Sequence, residues 1–438
     1  MSTPKNSTDR NFRVLSIAIM FALFFMIAFV TGYQNPLGTV IKGLAGDNTA
    51  LSQLGNLANF IAYAVMGFPA GKLLERHGYR ITSLAAVTVG FVGVLITFLS
   101  GFITENNTLT ISIYLIGAFI SGFSMCMLNT VVNPMLNSLG RDQRQGNQLI
   151  QFGGMCNSLG ATLAPVIVGY LIGGQASSIA SANGVFYMAM AIFAVAAVVI
   201  YASELQESPD LGKGKESLKV KDVLAFSNLR FGLLAIFCYV GIEVGIANWN
   251  TQYLVDHFEA IGQQADATTI AGAVVGVYWL LMLVGRLVGG TIGGMVSSRA
   301  MLTTTSALLT VLVSAAICVS GTNVPFISFS SADMSIQTVQ VPLNAILLVL
   351  CGLCTSVMWG AIFNLAVEGL GRFTSLASGL FMVMVCGGGI LPFLQGYVSA
   401  NILSSFWLIA GLGIYLLIYA LLLSKPDKKA QKEKGAFA

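Results

Sequence analysis

The residues that could do chemistry in this chain sit where an apolar sequence tolerates them least. Glu243 lies midway along an apolar stretch at 229–256, and a carboxylate at the centre of a bilayer costs about 2.5 to 3.5 kcal/mol on insertion scales. Asn250, seven residues on, returns to nearly the same face of a helix and makes a short polar stripe. Asn129 and Asn133 are four apart and share a face, while Gln151 and Asn157 place amides in the next apolar stretch. Amides donate and accept hydrogen bonds at once, which suits a ligand with vicinal hydroxyls and equally suits bonding between helices. Gln34, Asn35 and Pro36 interrupt the first apolar stretch, where proline frees the carbonyl of Gly32. Such a break lines a cavity or kinks a helix. Trp249, Trp279 and Trp359 offer aromatic faces for the C–H face of a sugar ring, or serve as core and interface anchors.

Composition says which elements must position them. Of 438 residues, 55% are hydrophobic and 9% charged, against roughly 25% charged in soluble domains. At about 20 residues per spanning helix, about 241 apolar residues supply up to about twelve spans. Apolar stretches lie at 13–42, 52–74, 80–103, 110–138, 146–173, 183–203, 229–256, 267–295, 299–320, 341–367, 374–399 and 402–424. A transmembrane barrel needs strands of about ten residues that alternate polar and apolar, unlike the unbroken runs Val185–Tyr201 and Phe406–Leu423. The expectation is an all-α membrane protein of twelve transmembrane helices.

Basic residues orient the spans, because cytoplasmic loops collect Lys and Arg. Twenty-one of the 22 fall on one side of this plan, among them Arg76, Arg80, Arg141, Arg144, Arg286, Arg299 and Arg372; Lys42 falls on the other. Both termini are expected in the cytoplasm, with the chain in the cell (inner) membrane. The seven cysteines lie inside spans as small apolar residues. His77 and His257 are far apart, so no metal site and no cofactor are expected.

The charged run Glu204–Asp222 separates six spans from six. An N-terminal bundle at 1–203, a linker at 204–228 and a C-terminal bundle at 229–438 follow. NPMLNSLGR at Asn133–Arg141 is echoed by NLAVEGLGR at Asn364–Arg372, APVIVGYL at Ala164–Leu171 by LPFLQGYV at Leu391–Val398, and Gly67 with Gly71 by Gly285 with Gly289. Parallel halves of this kind build alternating-access carriers with a site near the midplane.

GKLLERHGYR at Gly71–Arg80 resembles the loop signature of the major facilitator superfamily, with Glu75 where Asp is commoner. The resemblance implies the major facilitator fold, two pseudo-symmetric six-helix bundles, and a gating loop of Gly71, Glu75, Arg76 and Arg80 with Arg141 and Arg372 in the related loops. Within it, Asn129 with NPMLNSLG, CNSLGATLAP at Cys156–Pro165 and FCYVGIEVGIANW at Phe237–Trp249 resemble the fucose and glucose/galactose symporter family. The glutamate in GIEV resembles the glucose/galactose branch. Where proton-coupled fucose members carry an Asp in span one and a Glu in span four, this chain has Asn35 and Asn129, a pair with no acid to carry a proton.

The function expected is import of a monosaccharide, an aldohexose such as glucose or galactose, by an ion-coupled secondary transporter. The substrate-binding set is Gln34, Asn35, Asn129, Asn133, Gln151, Asn157, Glu243, Asn250, Trp249, Trp279, Trp359 and Asn364, with Glu243 also the coupling candidate for H+ or Na+. A fucose or amino-sugar transporter and a drug exporter of the same fold are the alternatives. A membrane enzyme acting on lipid-linked sugar would need a catalytic pair or metal ligands that the sequence does not show. The partners expected are the sugar and membrane lipid, with no nucleic acid, and the carrier is expected to be a monomer.

Overall fold

Apolar sequence becomes helix here because a bilayer leaves backbone groups no water to bond, so each segment must satisfy its own. The computed structural model describes residues 7–32, 54–103, 106–172, 179–203, 205, 207, 219–261, 267–319, 322–329, 336–398 and 401–426. Gln34 and Asn35 lie outside the described residues. The first half comprises α1 (Ser7–Gly32), α2 (Leu54–Ser100), α3 (Asn107–Leu139), α4 (Gln143–Ile172) and α5 (Asn183–Ala202). The second comprises α6 (Ser227–Ala260), α7 (Ala267–Ile292), α8 (Ser298–Cys318), α9 (Leu343–Thr355), α10 (Met358–Ala366), α11 (Thr374–Val383), α12 (Gly387–Val398) and α13 (Ile402–Ile418).

Ten helical stretches among the described residues are long and apolar enough to cross a membrane. One of them, Leu57–Ser100, has 44 residues, about twice the 20 that a bilayer needs. It bends at Gly78, whose φ of 78° lies in the region that glycine enters without a Cβ penalty. Beyond the bend the Glu207 carboxylate accepts the backbone N–H groups of Tyr79 (2.7 Å) and Arg80 (2.9 Å), capping the second limb at its positive end. The polar-faced α4, with 30 residues, completes twelve spans. α9 with α10, and α11 with α12, each form one span broken near its middle. Large apolar side chains such as Val198, Val311 and Leu422 remain exposed on the outside, as a lipid-facing surface requires.

Helices of each half pack chiefly on one another, giving two six-helix bundles. One element departs from the all-α expectation. Asn323–Phe329 and Ile336–Pro342 form an antiparallel hairpin between α8 and α9. Val324 pairs with Val341 and Phe326 with Val339, so alternate residues of both strands share one apolar face. That face packs against α7 and α9.

The bundles meet along two seams at the basic end of the molecule. In the first, α2 crosses α11 so closely that a Cβ at Gly71 would stand 3.0 Å from Gly379 Cα, and one at Gly67 would stand 2.6 Å from the Val383 backbone nitrogen. In the second, α4 meets α7, and a Cβ at Gly290 would stand 2.8 Å from the Phe152 ring. The opposite end differs. Gly272 lies 18 residues before Gly290, five whole turns, on the same face of α7, and among the described residues a Cβ there would meet nothing within 4 Å. The face that seals against α4 at the basic end therefore meets no described residue at the other.

Candidate functional site

Between the seams and the open end, one charged pair is held inside the apolar interior. Glu243 projects from the middle of α6, and its Oε1 stands 3.9 Å from Arg286 Nη2 on α7. That is an ion pair longer than a hydrogen bond. Gly241 and Gly245 on the back of α6 let α12 approach, where Cβ atoms would meet Leu391 and Gln395. The Tyr278 hydroxyl on α7 reaches the Glu243 backbone carbonyl at 3.4 Å and Thr355 Oγ1 at 3.1 Å. Tyr239, one turn before Glu243, is buried with its hydroxyl close enough to interact with both Glu243 and Arg286.

Arg286 carries the geometry further. Its Nη1 donates to Ser158 Oγ (2.7 Å), the Gly154 carbonyl (3.0 Å) and Asn157 Oδ1 (3.4 Å), all on α4 of the other bundle. Its Nε donates to the Ser356 carbonyl at 3.3 Å. One guanidinium thus ties two bundles together while facing a carboxylate. Asn157 also donates to the Phe24 carbonyl of α1 at 3.0 Å, which fixes its amide between α1 and Arg286.

A second cluster lies beside the first. Asn129 donates to the Tyr63 hydroxyl at 2.8 Å and to the Met125 carbonyl at 3.2 Å. Asn133 donates to the Asn129 carbonyl at 2.8 Å, and its Oδ1 accepts the Trp359 indole N–H at 3.0 Å across the bundles. Trp359 stands edge-on to Tyr239 with centroids 6.2 Å apart and to Phe381 at 5.7 Å. Through Trp359 and Tyr239, the amides of α3 and the charged pair border one region.

Residues 14–392 match the sequence profile of the Major Facilitator Superfamily. The chain belongs to that superfamily. It is 28% identical over 429 residues to a putative glucose/galactose transporter of Helicobacter pylori, covering 93% of this chain and 96% of the relative. It is 25% identical over 403 residues to a glucose/galactose transporter of Brucella abortus, covering 90% of each. Its fold superposes on the Escherichia coli fucose:proton symporter with a TM-score of 0.76 at 19% identity, over 94% of this chain and 99% of that one.

In this major facilitator chain the predicted residues divide by what they touch. Asn129, Asn157 and Glu243 gather round Tyr63, Tyr239 and Arg286. Asn133 with Trp359, Gln151 and Asn364 instead bridge the bundles: Gln151 donates to the Val357 carbonyl at 2.9 Å, and Asn364 to the Gln143 carbonyl (3.1 Å) and Ser298 Oγ (2.7 Å). Asn250 donates to the Ala345 carbonyl at 3.2 Å and turns to α9, apart from the charged pair. Trp249 donates to the Pro392 carbonyl at 2.9 Å and packs on Gly396. Trp279 stacks edge-on with Tyr278, centroids 5.2 Å apart.

The loop residues also separate. Gly71 packs in the α2–α11 seam, and Glu75 pairs with Lys72 at 3.4 Å. Arg76 is exposed. Arg80 donates to the Tyr201 carbonyl at the end of α5, within its own bundle. The exposed Arg141 offers its backbone N–H to Gln145 at 2.7 Å, and Arg372 lies over the neighbouring Phe373 ring at 5.1 Å.

Arg286 is the residue that sequence reasoning misplaced, as one more charge flanking a basic loop. In the structure it is 8% exposed and well inside α7. Its position carried a signal, since it stands nine residues before the end of the apolar stretch 267–295, about 13 Å at 1.5 Å per residue. Ser158, Tyr63 and Tyr239 had no such signal.

Proposed function

We propose that this superfamily member is a proton-coupled importer of a monosaccharide of the glucose and galactose class. The observation that carries the reading is the gathering of Asn129, Asn157 and Glu243 around Arg286 and the Tyr239 hydroxyl, inside two bundles sealed at one end and open at the other. Amide and carboxylate oxygens accept from sugar hydroxyls while amide N–H and guanidinium groups donate to them. The names of the bacterial relatives support a hexose, and the proton symport of the fucose relative supports H+ over Na+ as the coupling ion.

In this reading the bundles are 1–203 and 229–438, joined by the linker 204–228. The basic end with both termini faces the cytoplasm of a cell (inner) membrane, so the structure is closed inward and open outward. The carrier works as a monomer in lipid. Asn129, Asn157 and Glu243 with Arg286 and Tyr239 contact sugar, and Trp279 borders them. Asn133, Gln151, Trp359 and Asn364 act in the inner gate with Gly71.

Uptake of labelled sugars into proteoliposomes tests this, with proton and sodium gradients imposed separately. Glucose or galactose should accumulate with an inward proton gradient. Accumulation of fucose or an amino sugar alone, or response to sodium alone, would overturn the assignment, and export of apolar cations would move the chain to the drug exporters.

A further inference from the structure

At the basic end of the first bundle, two arginines are drawn to one neutral oxygen. Arg13, near the start of α1, donates from Nη2 to Gln145 Oε1 at 2.9 Å, and the Arg141 backbone N–H donates to the same oxygen at 2.7 Å. Their guanidinium groups are close enough to repel each other, and Arg144 adds a third, exposed charge on the first turn of α4. Among the described residues none of the three pairs with a carboxylate. Asp142, the acid in the same loop, instead accepts the Gln145 backbone N–H at 2.8 Å and caps α4. The related loop of the second half is built differently. It carries Glu368 where this one has Asn137, and its Arg372 lies over the Phe373 ring at 5.1 Å. One repeat thus has an extra acid and an aromatic face for its arginine, while the other gathers guanidinium groups around an uncharged amide.

We infer that Arg13 and Arg141, beside the first turn of α4, bind the phosphate of an anionic phospholipid. A phosphate accepts from two guanidinium forks at once and cancels the repulsion between them. The positive end of the α4 dipole adds to the attraction. The neighbours of Arg13 identify the source of that phosphate. Arg13 is the first residue of the apolar span Arg13–Thr31, at the depth of a headgroup, and the next two residues, Val14 and Leu15, are 59% and 43% exposed. They offer an acyl chain an apolar wall, for which a soluble phosphate has no use. The headgroup joins α1 to the start of α4, whose Gln143 carbonyl accepts the Asn364 amide of the other bundle at 3.1 Å, so the lipid steadies one side of that contact. The inference goes beyond sugar recognition and holds whichever sugar is carried; the proposed orientation enters only in assigning the lipid to the cytoplasmic leaflet.

Native mass spectrometry of the full chain, released from detergent micelles after titration with phosphatidylglycerol or phosphatidylcholine, reads the site without sugar. One phosphatidylglycerol should bind roughly fivefold or more tightly than phosphatidylcholine. Arg13→Gln and Arg141→Gln should each abolish most of that preference, and the double variant should lose little beyond either, because both arginines hold one phosphate. Arg13→Lys, which keeps the charge without the fork, should keep part of it. Lys221→Gln removes an exposed basic residue outside the cluster and should bind as the wild type does. Equal affinity for the two lipids, or a loss in Lys221→Gln as large as in Arg141→Gln, would overturn the site. Displacement of the lipid by an equal concentration of inorganic phosphate would keep the phosphate site and overturn the phospholipid as its occupant. If Arg13→Gln does not fold, the exposed Arg141 decides through Arg141→Gln. An empty sugar panel with the expected lipid preference would remove the hexose reading and leave the site standing; hexose uptake with no lipid preference would do the reverse.

Discussion

The two seams at the basic end close by different physics. The α2–α11 seam is mostly backbone against backbone, with Gly71 on Gly379 and the Leu376 carbonyl, and Gly67 on the Gly379 carbonyl beside Val383. The α4–α7 seam is closed by side chains, with the Arg286 guanidinium on Ser158, the Phe152 ring against Gly290 and the Gln148 amide beside Gly294. The first recognises shape and has little freedom to adjust, because its contacts are mostly main chain. The second can swap partners, since a guanidinium and an aromatic ring both rotate. A carrier that must open and close needs one hinge-like contact that always fits and one that can be persuaded.

The largest effect should therefore come from the rigid seam. A Cβ at Gly379 would stand 2.5 Å from the Gly67 carbonyl and 2.6 Å from Gly71 Cα, and overpacking of a tight contact costs about 1 to 3 kcal/mol. Gly379→Ala should fall at the upper end, lowering the closed population by roughly 100-fold. Hydrogen exchange at 376–383 should rise at every pH while uptake collapses. Normal uptake would show that the seam tolerates a gap and that the contrast is false.

Gly290→Ala introduces the same methyl against the Phe152 ring, which can turn away. A loss of about 1 kcal/mol, roughly fivefold in the closed population, is expected. An effect equal to that of Gly379→Ala would erase the distinction between the seams. Gln151→Ala removes one neutral hydrogen bond across the seam, to the Val357 carbonyl. It should shift the inward-outward balance two- to fivefold and leave outward sugar affinity unchanged by calorimetry; lost affinity would return Gln151 to the binding set. Asn129→Ala should act on neither seam. It loses one hydroxyl contact and weakens sugar binding by about 0.5 kcal/mol, a little over twofold, with gate exchange as in the wild type.

The same contrast shows what could be read in the chain beforehand. Twelve spans, two halves and the glycine spacing were legible, because apolar length and repeated motifs are local properties. What each glycine packs against was not. Gly67 and Gly71 face the other bundle, whereas their repeat partners Gly285 and Gly289 pack on Ser356 and Val357 of their own. Arg286 looked like a loop charge because positive residues near a span's inner end usually reach for the interface. Only its bonds to α4 place it between the bundles. The alternation in Asn323–Phe329 and Ile336–Pro342 was present in the sequence, but it is a weaker signal than the spans beside it. Glu243, an acid within an apolar run, was legible as a site because its cost demanded a reason.

The brace formed by Glu207, Gly78 and Arg80 has a consequence for the choice of buffer. Its bonds to Glu207 from Tyr79 and Arg80, and from Arg80 to Tyr201, are part-buried or exposed. Such contacts answer to ionic strength, since the Debye length shrinks from about 30 Å at 0.01 M salt to about 3 Å at 1 M. Neither the glycine seam nor the buried guanidinium shares that sensitivity to the same degree. Salt is thus a reagent that loosens one corner of the N-terminal bundle and leaves the gate alone, so a transport rate that falls in concentrated salt at constant pH, in uncharged lipid, would point to the α2 bend.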